Sequence, residues 1–193
     1  MILALQLIIG LALGAAIGLG SALFAVDRGL GFEAVRVGAW SAWPRSGAAN
    51  ADPYTRANLS RTGDLPLAGG TGISFTATAD DTGQALRANC DYLLSGRMPA
   101  TQWWTLTVYS ESGRHLIENP VHRLGINSGE VVRRPDGSFE VTVSQRARPG
   151  NWLPVGEAGE VRYVVRLYDT PVATGRSFQD IRMPSIQRTG CRS

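Results

Sequence analysis

The chain has 193 residues, enough for one domain or one domain plus an appendage. Apolar residues make up 44% and charged residues 18%, which excludes a disordered chain as the whole answer. The net charge is +3, all 19 basic residues are arginine, and two Cys with two His exclude a zinc framework built from cysteine alone.

Met1 to Val26 carries no charged side chain, and Gln6 is its only strongly polar one. About 20 apolar residues in a helix span the hydrocarbon core of a bilayer. The run is longer than the roughly 7–15-residue apolar region of a signal peptide, and no Lys or Arg precedes it. Cleavage after Ala25 would put Leu23 where a small residue is usual. Residues 1–26 are therefore expected to be a retained transmembrane anchor in contact with membrane lipid. Gly10, Gly14 and Gly18 recur every fourth residue, a spacing that lets two helix backbones approach closely. This points to a helix–helix contact, with a second copy of the chain or with another protein, although Gly is also common in membrane helices.

Arg28 and Arg36 follow the span, and the positive-inside rule alone would weakly favour a cytoplasmic C-terminal domain. Long domains translocate largely regardless of charge. Cys90 and Cys191 are the only cysteines, and a bond between them would tie down a tail that otherwise frays. Such bonds persist in the periplasm and not in the cytosol. The expected location is the inner membrane, single pass, with the C-terminal domain periplasmic.

Residues 27–51 are rich in Gly, Ala and Ser and read as a juxtamembrane linker or a first strand. Trp40 and Trp43 fit either an interfacial belt or the start of the fold. Asp52-Pro53 offers an N-cap with Pro at the first helical position, so Tyr54 to Arg61 is expected to be a short helix ending at Gly63. The period then changes to two. Ile73, Phe75, Ala77 and Ala79 alternate with polar residues, as do Trp104, Leu106 and Val108, then Phe139, Val141 and Val143, then Val161, Tyr163, Val165 and Leu167. Strict alternation marks strands with one buried face. Leu86 to Leu94 is a weaker fifth candidate. Asp80-Asp81-Thr82-Gly83 and Pro135-Asp136-Gly137 read as hairpin turns, and Asn127 to Arg133 has room for one helical turn. The expected fold is mainly β, an antiparallel sandwich or jelly roll over residues 52–193 with one or two short helices.

No catalytic constellation stands out. There is no G-x-S-x-G elbow, no H-E-x-x-H helix around His115 or His122, and no phosphate loop. Neither a metal nor a cofactor is expected. The arginines are scattered among acids, which argues against nucleic acid as a partner. What remains is a set of arginine, aromatic and amide residues. Arg162, Arg166 and Tyr168 share the polar face of one strand, and Trp103 and Tyr109 that of another. Arg binds carboxylate or phosphate through its planar fork, and aromatic rings stack on sugars or apolar ligands. The alternative is ordinary structure, with Asp169 or Glu160 as the arginines' partners. For an enzyme on envelope glycans, the available carboxylates near these residues are Asp136, Glu140, Glu157 and Glu160, two of which would have to face one cleft.

Trp103-Trp104-Thr105-Leu106-Thr107-Val108-Tyr109, Asn119-Pro120 with Arg123, Asp136-Gly137-Ser138, Asn151-Trp152-Leu153-Pro154, Val165-Arg166-Leu167-Tyr168 and the tail Met183-Pro184-Ser185-Ile186 occur in an order that resembles the bacterial domain of unknown function 1214. The resemblance covers roughly residues 52–187. It implies a jelly-roll-like sandwich and frequent company with domain of unknown function 1254, which here would be a separately encoded partner. It carries no assigned reaction. The family often has a Trp before the final proline pair, where this chain has Phe178 and Met183-Pro184. The combined reading is a membrane-anchored periplasmic binding or assembly module. Its ligand surface would be Arg123, Asn151, Trp152, Arg166, Tyr168 and Tyr109, and a carbohydrate-active protein is the alternative.

Overall fold

The computed structural model describes residues 2–27, 34–111, 115–174, 178 and 180–192, and Arg28 lies outside them. Helix α1 (Ile2–Asp27) is apolar all round, and its most hydrophobic window is 0% buried. Such a helix needs an apolar surrounding, and the described residues bury none of that window. It meets the length and composition of a membrane anchor or a signal sequence. Helix α2 (Pro53–Thr62) matches the expected cap chemistry. Asp52 Oδ1 accepts from the amides of Tyr54 at 2.9 Å and Thr55 at 3.0 Å. Gly63 closes the helix at φ 68°, a left-handed conformation that favours glycine, and donates its amide to Leu59 O.

Among the described residues, ten strands follow the order β1 (Val35–Val37), β2 (Trp40–Ala42), β3 (Gly72–Ala77), β4 (Cys90–Gly96), β5 (Trp103–Ser110), β6 (Gly125–Asn127), β7 (Phe139–Ser144), β8 (Trp152–Pro154), β9 (Val161–Tyr168) and β10 (Ser185–Cys191). They form a six-stranded sheet, β1-β2-β3-β9-β5-β6, and a four-stranded sheet, β10-β4-β7-β8. The inward residues of both join one buried core. Trp104 of β5 stacks on Phe139 of β7 with ring centroids 5.2 Å apart, and Tyr92 of β4 meets Tyr163 of β9 edge-on at 5.9 Å. These two contacts join the sheets, and each buries a large apolar surface.

Several expectations change. Of the two readings of residues 27–51, strand formation is the one seen, because β1 and β2 pair with each other and β2 with β3. Trp40 is 1% exposed and donates its indole N–H to Pro184 O at 2.7 Å, so it belongs to the fold and not to a membrane interface. The weak strand candidate begins at Cys90, not Leu86. The four-stranded sheet is not purely antiparallel, since β7 and β8 run parallel. No helical turn forms over 127–133. Asn127 ends β6 and its Oδ1 accepts from the Gly129 amide, which closes a turn instead. The short helical turn lies at Pro171–Ala173. Both expected hairpin turns form, with Asp80 N bonding Gln84 O and Arg134 N bonding Ser138 O. Cys90 and Cys191 are directly opposed across β4 and β10 and form a disulfide.

Candidate functional site

The outer face of the six-stranded sheet collects most of the residues singled out above. Strand register sets it out in rows. Trp103 of β5 is opposite Tyr168 of β9. Thr105 has Asn127 of β6 on one side and Arg166 on the other, with Ser74 of β3 beyond. Tyr109 is opposite Arg162. Their strand neighbours Trp104, Leu106, Val108, Tyr163, Val165 and Leu167 point into the core, and the period of two puts these residues outside.

One end of this face is covered. Val164 is 2% exposed although it stands outside the main core. Asp64, in the segment after α2, reaches Arg166 at 3.5 Å and Arg162 at 3.9 Å. Arg166 also donates to the Tyr109 hydroxyl at 3.1 Å, and both guanidinium groups lie within 6 Å of the Tyr109 ring centroid, at 5.5 and 5.8 Å. Burial pushes the Arg162 pKa down, and the Asp64 carboxylate opposes it. The partner of Arg166 is thus Asp64. Glu160 pairs with Arg87 at 3.3 Å instead. Here arginine, tyrosine and aspartate form one buttressed layer between sheet and covering segment.

The other end is open. Trp103 is 45% exposed, and beside it runs a chain of polar contacts. Asn127 Nδ2 donates to Glu130 Oε1 at 2.6 Å, Arg123 Nη2 donates to Glu130 Oε2 at 3.0 Å, and Arg123 Nη1 donates to Trp152 O at 3.2 Å. Asn151 stands behind this rim. Its amide donates to Val132 O and Glu140 O, and its Oδ1 accepts from Val132 N, each at 2.8 Å. The Trp152 indole N–H is spent on Ser144 O and Oγ, both at 3.1 Å. The six residues therefore divide by position. Arg166, Tyr109 and Tyr168 lie on the sheet face, Arg123 on its rim, and Asn151 and Trp152 underneath as supports. Sequence reading left Glu130 and Asn127 out, because their side chains join the site through a turn that no periodicity announces.

A separate groove of about 470 Å³ is lined by Glu118, Asn119, Gln145, Glu157 and Arg192 among others. Of the four carboxylates considered for glycan hydrolysis, Glu157 alone lines it. Asp136 pairs with Arg97 and Glu140 with Arg134. Hydrogen bonds from the Ser138 hydroxyl and amide lower the Asp136 pKa to about 2, so it holds no proton to donate near neutrality. Among the described residues, no group of three or more His, Cys, Asp or Glu could hold a metal ion.

The sequence profile of a family described as "protein of unknown function (DUF1214)" matches residues 71–172, more than half of the chain. The chain belongs to the DUF1214 family. The matched segment runs from β3 to the 171–173 turn and contains every residue of the face and rim named above except Asp64. The anchor, α2, β10 and Cys191 lie outside the match. The VPA0106 protein of Vibrio parahaemolyticus has a similar crystal structure, with a TM-score of 0.58 and 22% identity over 75% of this chain. The chain spans 37% of that protein's length, and the likeness is one of fold. An uncharacterized protein from Burkholderia cenocepacia aligns over 77% of this chain and 48% of its own, with 17% identity and a TM-score of 0.42. No curated protein matches the chain.

Proposed function

We propose that this DUF1214 protein is a membrane-anchored module of the cell envelope, with its β-sandwich in the periplasm, that works by binding or assembly. The observation that carries the reading is the union of two features: an apolar helix with no buried window, and a domain whose only two cysteines are bonded to each other. The first calls for lipid, and the second for an oxidising compartment. The open end of the six-stranded sheet is the binding surface, with Arg166 and Tyr109 holding its covered end in place. The bilayer, a second copy through the Gly10–Gly14–Gly18 face and a separately encoded protein with domain 1254 are the partners this reading names.

A phosphatase fused to the C-terminus tests the placement. An enzyme active only in the periplasm should be active on this fusion, and an inactive fusion at normal expression refutes the orientation. Purification in gentle detergent followed by mass spectrometry tests assembly, where a stoichiometric membrane protein is the expected companion. Glycan binding is the form of ligand recognition that one observation favours, the exposed indole of Trp103 beside fixed polar groups.

A further inference from the structure

We propose that Trp103, with Asn127 and Glu130 beside it and Tyr168 opposite, forms a saccharide subsite for an uncharged pyranose ring such as a hexose or N-acetylhexosamine. The proposal deepens the binding reading above and rests on it.

Trp103 is the one exposed tryptophan of five. Its indole is not loose on the surface. A Cβ at Gly129 would lie 3.0 Å from Trp103 Cη2 and 3.2 Å from Cζ3, and 3.3 Å from Asn127 Oδ1. The backbone at Gly129 is not left-handed, so turn geometry does not demand glycine there. The space is taken up by the ring, which is seated with its edge against the 127–130 turn. An indole held this way presents a flat apolar surface, and the C–H face of a pyranose is a complementary shape.

The polar half of the site is equally fixed. Asn127 is oriented by the Gly129 amide at 2.9 Å and by Glu130 at 2.6 Å, and Glu130 by Arg123 at 3.0 Å. Each Glu130 oxygen retains lone-pair capacity to accept from a sugar hydroxyl. Arg123 pairs with Glu130, while Arg133 reaches the same turn through Ser128 O at 3.3 Å and lies over the Trp104 and Phe139 rings. Beside Trp103 the turn offers the Glu130 carboxylate, an acceptor for sugar hydroxyls that opposes a second carboxylate, which argues for a neutral ring over an acidic one. Ordering these groups in advance lowers the entropic cost of binding a weakly held ligand. The position of Asn151 and Trp152 follows as well: they brace Val132 and Arg123 from behind and keep the rim in register with the ring.

Calorimetric titration of the full chain, in a detergent without a sugar headgroup, tests this with three probes: the N-acetylglucosamine trimer, maltotriose and trigalacturonate. At least one neutral trisaccharide should bind. Trp103→Ala should weaken that binding about tenfold or more, and Glu130→Gln by a smaller factor. Gly129→Val should act like Trp103→Ala by displacing the ring, which covers the case in which the alanine variant folds poorly. Absence of binding by both neutral probes at millimolar concentration overturns the proposal. So does binding of trigalacturonate alone, or neutral binding that Trp103→Ala leaves unchanged. A wrong membrane orientation would show in the phosphatase fusion and would leave these titrations intact.

Discussion

Asp80 and Arg188 meet at 3.1 Å with the Asp80 side chain only 1% exposed, and this pair fastens the last strand to the 80–84 turn. Asp80 Oδ1 accepts from Thr82 N, Thr82 Oγ1 and Gln84 N. Arg188 also donates to Gln84 Oε1 and Ala85 O, both at 2.7 Å, and its guanidinium lies 5.5 Å from the Tyr92 ring centroid. The next residue repeats the grip, as Asp81 Oδ2 accepts from Ile186 N at 2.9 Å. A segment that closes a local hairpin therefore also clasps β10, an edge strand that would otherwise be free to fray.

Replacing Asp80 by Asn should cost about 2–3 kcal/mol, because it leaves Arg188 with a weaker partner in a mostly buried place. Burial alone would raise the Asp80 pKa, but the Thr82 hydroxyl, the Gln84 and Thr82 amides and Arg188 together bring it below the ordinary aspartate value. A depressed folded-state pKa means that the stabilisation is complete above about pH 4 and is lost as pH falls through the folded value. Urea titrations across pH 2–6 should show a shallower acid limb for Asp80→Asn than for the parent. Equal limbs would mean that Asp80 titrates alike in both states.

The Cys90–Cys191 bond closes a loop over a sequence separation of 101, and without it β10 is held against β4 by non-covalent contacts alone. The chain-entropy relation gives about 4–5 kcal/mol for a loop of that size. Cys191→Ser and the reduced parent should lose a similar amount of stability. Amide exchange should rise first along Ser185–Cys191, since Asp80 and Asp81 hold only the front of the strand. Uniform exchange across the domain would place β10 inside the cooperative core instead.

Of the six described strands longer than three residues, β3, β5, β7 and β9 were legible in the chain, as were the caps of α2; β4 was legible only in part, and β10 and the three-residue strands were not. Strands β3, β5, β7 and β9 alternate for six or eight residues, enough for the period of two to rise above composition. Asp52, Pro53 and Gly63 announced α2 because caps are local chemistry. Strands β1, β2, β6 and β8 have three residues each, too few to show any period, and they exist because a neighbouring strand offers free amides and carbonyls. The site followed the same division. Arg166, Tyr109 and Tyr168 could be placed on one face by counting along β5 and β9. The partnership of Arg166 with Asp64, 102 residues away in sequence, depends on tertiary packing that spacing does not encode.

Asn151 shows what the N-W-L-P segment does. Its side chain makes three hydrogen bonds, all to backbone, and joins Glu140 of β7 to residue 132. Asn151→Ala should therefore destabilise by about 2–4 kcal/mol, since each lost bond strands a polar group that is partly shielded from water. Asn151→Asp keeps the acceptor for Val132 N but turns a carboxylate oxygen toward Val132 O and Glu140 O, so it should destabilise at least as much as alanine. Thermal melts of the two variants check the order. An alanine variant as stable as the parent would return Asn151 to the list of surface groups free to meet a ligand.

Gly14 provides a test of assembly that the fold itself cannot obscure. A Cβ added at Gly10, Gly14 or Gly18 meets nothing within 4 Å, so a larger side chain at these positions disturbs no contact within the chain. The same side chain would separate two helices packed through that face, where backbone approach depends on small residues. Gly14→Ile should leave expression, the Cys90–Cys191 bond and the melting of the β-domain as they are, while shifting the detergent-solubilised protein from an oligomer or a complex to a monomer. Size-exclusion chromatography with light scattering reads the change. An unchanged particle mass would reduce α1 to an anchor and move the search for partners to the sandwich.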